Sequence, residues 1–299
     1  MRELIVLGTA SQVPTRTRSH NGYLLRFDDE GILFDPGEGA QRQLLLAGLA
    51  VSAITRVCIT HFHGDHCLGL PGIIQRMSLD AVAHDVPIHY PSSGSAYFRR
   101  LRHASFFVDR APIVPKPIKR DVTKGGLQMR RLRHSIDTFG YRLVEPDGRR
   151  MVPELLAAHG ITGPAIGQLQ RDGGPLLEKV SAPKPGQIVA FVMDTGLCDA
   201  AVELAADADL LVIESTFLSD EEELAAWAGH LTAAQAGRIA TAARVRKLVL
   251  THFSQRYQEA SAFGEEASKH FGGEIVVASE LDRIPLPERR PAPDSRRRG

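Results

Sequence analysis

The sequence predicts a layered α/β protein. Three observations predict it. Short runs rich in Val, Ile and Leu alternate with segments of helical spacing in both halves of the chain. Ionisable residues recur where those runs stop. The chain, at 299 residues, is long enough for a large core. Apolar residues make up 43% and charged residues 24%, which excludes a disordered or fibrous chain. No apolar run approaches the roughly 20 residues of a spanning helix, so no membrane segment is expected. The opening MRELIVLGTASQ carries too short an apolar run for a secretion signal and reads as a first strand. Cys58, Cys67 and Cys198 have no disulfide spacing, and a reduced, cytoplasmic compartment is expected.

The elements follow in order. LIVLGTA, NGYLLRF and GILFDPG read as strands, with Asp28-Asp29-Glu30-Gly31 as the turn between the last two. A helix is expected from about Glu38 to Gly48, closed by its glycine. ITRVCIT (54–60) is β-rich, followed by a helix near 68–79, a strand at 86–90 and a helix near 92–103. Strands and turns fill 105–145. Residues 151–183 mix short helical stretches with Gly and Pro, as an inserted arm would. QIVAFVMDTG (187–196) restores regular structure. A helix at 198–206, a strand at 209–216, a helix near 232–244, a strand at 247–253 and a helix near 259–271 complete the pattern.

Net charge is +1 and says little about partners, but basic residues crowd between Arg99 and Arg133, with only Asp109 and Asp121 opposing them. Such a run suits phosphate contacts or a solvated face equally well. The last stretch, 283–299, is rich in Pro and Arg, and a disordered basic tail is expected there. The main domain is then 1–282, with the arm at about 151–183.

The chemistry gathers at strand ends: Asp35, the cluster 61-HFHGDH-66, His134, Asp194, Glu214 and His252. Strand ends converge on one rim of a sheet, which can assemble a multidentate site. His61 and His63 alternate by two and face one way in an extended segment. Asp65 and His66 lie past Gly64, where the chain turns. That makes two pairs able to hold two neighbouring cations. Imidazole and carboxylate suit Zn²⁺, with Mn²⁺ or another divalent ion able to substitute. His134 and His252 are candidate further ligands and Asp194 a candidate bridge. Two such cations form a known device for phosphodiester hydrolysis. A single strand-end histidine such as His134 is more often structural than ligating; three histidines and an aspartate in six residues are not. Asp35 could equally brace a turn or cap the following helix.

HFHGDH resembles the HxHxDH signature of the metallo-β-lactamase fold, which implies a four-layer αβ/βα architecture. That fold serves many hydrolases. Further segments narrow the resemblance: 7-LGTASQVPTRTRSHNGYLL-25, 34-FDPGEGAQRQL-44, 66-HCLGLPGIIQRMSL-79, 230-HLTAAQAG-237 and 251-THFSQRY-257 together resemble ribonuclease Z, the tRNA 3′-processing endonucleases, in their short, homodimer-forming version. The resemblance spans about residues 4–280. It implies two zinc ions per chain, one held by His61, His63, His134 and Asp194, the other by Asp65, His66, His252 and the shared Asp194. It implies Asp65 as general base, His230 as the acid that protonates the leaving 3′ oxygen, Glu214 as its orienting partner, and Asp35 as a brace for a ligand histidine. It implies precursor tRNA as substrate, gripped by an arm in which Gly163 and Pro164 belong to the binding motif. The chain departs from the family pattern at Met193, Ile213 and Leu231, and Gln168 and Gln170 stand where basic residues are common. The alternative is another hydrolase of the same fold, such as a small-molecule phosphodiesterase or an arylsulfatase.

Overall fold

The computed structural model describes residues 2–291. They divide into two units. One runs from the N-terminus to Leu143 and resumes at Ile188–Pro287; the other is Val144–Gln187 with the segment from Glu288 onward.

The first unit opens with β1 (Arg2–Gly8), β2 (Gly22–Phe27), β3 (Glu30–Phe34), α1 (Ala40–Leu46), β4 (Arg56–Cys58), α2 (Gly64–Cys67), α3 (Leu70–Leu79), β5 (Val86–Pro91), α4 (Ser95–Arg102) and β6 (Ile113–Ile118). It continues through β7 (Val122–Lys124), β8 (Leu127–Arg131) and β9 (Phe139–Val144). The second unit holds β10 (Gly148–Met151), α5 (Pro153–Ala158), α6 (Pro164–Asp172), α7 (Pro175–Val180) and β11 (Ser181–Lys184). The first unit resumes with β12 (Ile188–Val192), α8 (Asp199–Ala205), β13 (Leu210–Glu214), α9 (Glu222–Ala228), α10 (Ala233–Ala242), β14 (Lys247–Thr251), α11 (Ser261–Ser268), β15 (Glu274–Val277) and β16 (Arg283–Pro285).

Two seven-stranded sheets result, in the orders β16-β1-β2-β3-β4-β5-β6 and β15-β14-β13-β12-β9-β8-β7. In each, parallel pairing on one flank (β3 to β6, β12 to β15) gives way to antiparallel pairing on the other. The strands read as unbroken apolar runs because both their faces are buried. In β12, Val189 and Phe191 join the core between the sheets, while Ala190 and Val192 pack under helices. Likewise Leu4 and Val6 of β1 face inward, and Ile5 and Leu7 face the α1–α3–α4 side. Phe34 stacks on Phe191 at 4.3 Å between ring centroids, joining the two sheets across the inner core. Helices α8, α10 and α11 cover the second sheet, so the unit has four layers, αβ/βα, as the resemblance implies.

The second unit is a two-stranded antiparallel ladder, β10 with β11, framing three short helices. Arg289 donates to Glu145 and to the Pro185 carbonyl within it. Two expectations need correction. The stretch from 283 does not begin as tail: Arg283–Pro285 pairs with β1, because Ile284 buries its side chain in the inner core. Residues 292–299, including Arg296-Arg297-Arg298, lie outside the described residues. The expected 54–60 strand shortens to β4, which leaves Ile59–His63 as irregular backbone leading to the candidate site. Among the described residues no helix is long and apolar enough to cross a membrane.

Candidate metal centre

The strand ends do converge. Three residues just beyond them have left-handed backbone: Asp35 after β3 (φ 41°), Asp194 after β12 (φ 39°) and His252 after β14 (φ 65°). Such φ values are uncommon outside glycine and cost on the order of 1–3 kcal/mol each. The abrupt turn swings each side chain out of its strand's alternation and into the centre. Asp65 and His66 arrive from the short helix α2, and all five of these residues are buried.

Two ligand groups share no residue, and a third, Asp194 with His230 and His252, overlaps both. His61, His63, His134 and Asp194 make the first, Asp65, His66 and His252 the second, with ligand atoms inside each lying within 4.8 Å of one another. Asp194 divides its oxygens between them. Its Oδ2 lies 3.5 Å from His61 Nε2 and 3.8 Å from His134 Nε2. Its Oδ1 lies 3.1 Å from His252 Nε2 and 3.2 Å from His66 Nε2. Asp65 Oδ2 completes the second group at 3.2 Å from His66 Nε2 and 3.5 Å from His252 Nε2.

The far side of each ring decides which nitrogen is free. Thr60 Oγ1 donates to Asp35 Oδ2 at 2.7 Å, so its lone pair must accept from His61 Nδ1, 3.0 Å away. His66 Nδ1 donates to Asp35 Oδ2 at 2.9 Å. Thr216 Oγ1 donates to Glu214 Oε2 at 2.6 Å and therefore accepts from His252 Nδ1 at 2.7 Å. His134 Nδ1 donates to the Gly229 carbonyl at 3.0 Å. All four rings thus turn an unprotonated Nε2 to the centre, as metal-ligating histidines do. Asp35 sets two of these tautomers, one directly and one through Thr60. It is also wholly buried, which pushes its carboxyl up.

The donor set fits divalent cations. His63 Nδ1 meets His61 Nε2 at 3.0 Å and His134 Nε2 at 3.3 Å, and one ring proton cannot satisfy both. Asp194 Oδ1 and His252 Nε2 are buried without a hydrogen-bond partner, although they face one another. Lone pairs crowded on common points, away from bulk solvent on most sides, call for positive charge between them. Electrostatics agree. Burial opposes a charge on His66, but Asp194, Asp65 and Asp35 push its protonation well above the usual range. A cation meets the same demand.

His230 sits beside this centre. Its Nδ1 donates to Glu214 Oε1 at 3.0 Å, leaving Nε2 for the cleft. Burial disfavours its charge, but Glu214 and Asp194 outweigh burial and raise its pKa to about 9. It is placed by the N-terminus of α10, where Thr232 and Gln235 form a capping box two residues on. Glu214, fully buried, also accepts from the backbone N–H groups of Thr195 and Leu231. One carboxylate therefore holds His230 and, through Thr216, His252. The cleft above these groups has a volume of about 630 Å³.

Residues 15–140 of the chain match the metallo-β-lactamase superfamily model, and 156–253 match the β-lactamase superfamily domain. A ribonuclease Z of Salinispora arenicola is 62% identical over 301 residues, covering 97% of each chain. One from Streptomyces coelicolor is 57% identical, covering 97% of this chain and 99% of its own. The chain belongs to the ribonuclease Z family. Human tRNase Z, short form, superposes with a TM-score of 0.71 at 25% identity, covering 95% of this chain and 99% of its own.

Three departures from the ribonuclease Z pattern prove to be packing positions. Met193 lies in the core between the sheets, and Ile213 and Leu231 lie in the core under the helices. None of the three lines the cleft. All seven candidate ligands, Asp35, Glu214 and His230 come together as described. Gly163 and Pro164 belong to the second unit, where Gly163 (φ 54°) precedes the exposed helix α6. Gln168 is engaged within that helix, donating to Asp172 at 2.8 Å. Thr60, Thr216 and Gly229 escape sequence reasoning. The available signal is weak: a threonine beside an acidic or histidine residue just past an apolar strand. Asn21, 3.3 Å from His66 Nε2, carries no such signal. Part of the basic run is spent locally, as Arg102 pairs with Asp109 at 2.7 Å and Arg131 with Asp137.

Proposed function

We propose that this chain is a zinc-dependent endoribonuclease that removes 3′ trailers from precursor tRNA, leaving a 3′ hydroxyl on the tRNA and a 5′ phosphate on the trailer. The observation that carries the reading is Asp194, one oxygen turned to each of two ligand groups beside a histidine whose free nitrogen faces the cleft. Two ions per chain are proposed, zinc first, with Mn²⁺ or another divalent ion able to substitute. His61, His63, His134 and Asp194 would hold one, and Asp65, His66, His252 and Asp194 the other. When bound, such a pair lowers the pKa of water and stabilises charge on phosphoryl oxygens.

The chain's own groups do the rest. Asp65 presents one oxygen to its ligand group and takes a proton from the attacking water with the other. His230 Nε2 donates a proton to the departing 3′ oxygen. Glu214 keeps His230 oriented and, together with Asp194, offsets the burial that would neutralise the ring. Asp35 holds His61 and His66 in the ligating tautomer. The tRNA-gripping arm is assigned to about residues 151–183, which lie in the second unit, with Gly163 and Pro164 in its contact motif. The working form is proposed as a homodimer in the cytoplasm, a reducing compartment that suits the free Cys58, Cys67 and Cys198.

Incubation with a precursor tRNA carrying a 3′ trailer, with and without chelator, tests this directly when both product ends are mapped. The expected products are a 3′-hydroxyl tRNA and a 5′-phosphorylated trailer, absent with chelator. A 3′ phosphate, or cleavage indifferent to chelator, overturns the reading.

A further inference from the structure

The chain has one tryptophan, and it is in an unusual place. Trp227 is 85% exposed, yet it lines the cleft that holds His63, Asp194 and His230. Leu224, Trp227 and Ala228 lie three and four residues apart on α9, so they form one face, and all three line the cleft. Ala225, on the other side of α9, is fully buried and anchors the helix. The helix end is fixed to the site at two points. The Gly229 carbonyl accepts from His134 Nδ1, and His230 binds Glu214. The backbone that carries this large ring is therefore tied to the site three residues before the proposed acid, and no ring stacks on Trp227 among the described residues.

We propose that Trp227 is a stacking platform for the base of the last nucleotide retained on the tRNA, the one whose 3′ oxygen departs towards His230. This assignment rests on the reading of the cleft as a precursor-tRNA site. The oxygen that receives the His230 proton belongs to that nucleotide, so its base must lie on the His230 side of the centre, where α9 stands. Unpaired RNA ends are recognised by stacking on aromatic side chains, and an exposed indole offers a broad apolar face for it. Stacking needs no particular base, which suits an enzyme serving tRNAs that differ at this position. Arg256 lines the same cleft, half-exposed and paired with Glu221 at 3.4 Å, and its remaining guanidinium donors are open to the phosphates of an unpaired strand.

Because Trp227 is the sole tryptophan, its fluorescence reports on this contact alone. The metal-loaded protein is titrated with mature tRNA and with the same tRNA trimmed of its unpaired 3′ nucleotides. Quenching by the intact tRNA, lost on trimming, is expected. In parallel, Trp227→Ala should raise KM for precursor tRNA roughly ten-fold with kcat within about three-fold, and Trp227→Phe should retain most of the affinity. Equal quenching by trimmed tRNA, an emission change on diluting the protein alone (a contact between copies), or an unchanged KM in Trp227→Ala overturns the platform. If the unmodified protein cleaves with the expected ends while any of these occurs, only the platform fails. If it does not cleave precursor tRNA, both readings fail.

Discussion

At the scale of single residues, catalysis depends on which nitrogen or oxygen is free, and the groups behind the ligands decide that. Asp35 is the sharpest case. Asp35→Asn places an amide where Thr60 and His66 need an acceptor, so metal affinity should fall about 10- to 100-fold. Competition with a chromophoric chelator measures this, and unchanged affinity would show that Asp35 only braces its turn. His230→Ala should lower kcat on precursor tRNA by about 10²- to 10⁴-fold. It should cost far less on a nitrophenyl phosphodiester, whose leaving group departs without a proton. Equal losses on both substrates would remove His230 from the acid role. Every member of the two ligand groups was legible as a residue type at a strand end, but the partners behind the rings were not. Thr60 and Thr216 act through the direction of one hydroxyl proton, which depends on left-handed turns at Asp35 and His252 that no spacing predicts.

At the scale of elements, strands were easier to read than the pieces between them. Runs such as QIVAFVMDTG are apolar on both faces, so their existence is plain even though their alternation is hidden. The helix α9 went unread because Glu222–Ala228 is only two turns long and buries one side chain, Ala225, leaving no stripe to detect. It nevertheless ties the site together through Gly229, whose φ of 75° closes the helix. A Cβ there would lie 3.2 Å from His134 Nδ1 in a conformation that side chains resist. Gly229→Ala should therefore cost about 1 kcal/mol or more in thermal or denaturant unfolding and weaken metal binding as His134 shifts. Full stability with full affinity would show that the turn tolerates a side chain. Deleting 159–174 from the second unit should abolish cleavage of precursor tRNA while sparing a small phosphodiester. Surviving tRNA cleavage would take the grip away from Gly163 and Pro164. The arm's short helices were only faintly legible because glycines and prolines interrupt them, and α6 buries none of its residues.

At the scale of the whole chain, the alternation of apolar runs with helical segments predicted a layered α/β protein, and the two sheets with helices outside each follow from strands buried on both faces. What that pattern could not supply was the way β3 in one sheet and β12 and β14 in the other end around one centre, bringing Asp35, Asp194 and His252 there from positions far apart in sequence. The central claim is that one cluster of side chains holds two cations, divided by Asp194, and that both are needed to cut precursor tRNA. Metal-free protein titrated with zinc tests it most directly, with bound metal and precursor-tRNA cleavage followed together. The account predicts two equivalents bound per chain, with cleavage rising chiefly as the second enters. Full cleavage at one equivalent, with no second ion bound, would contradict it.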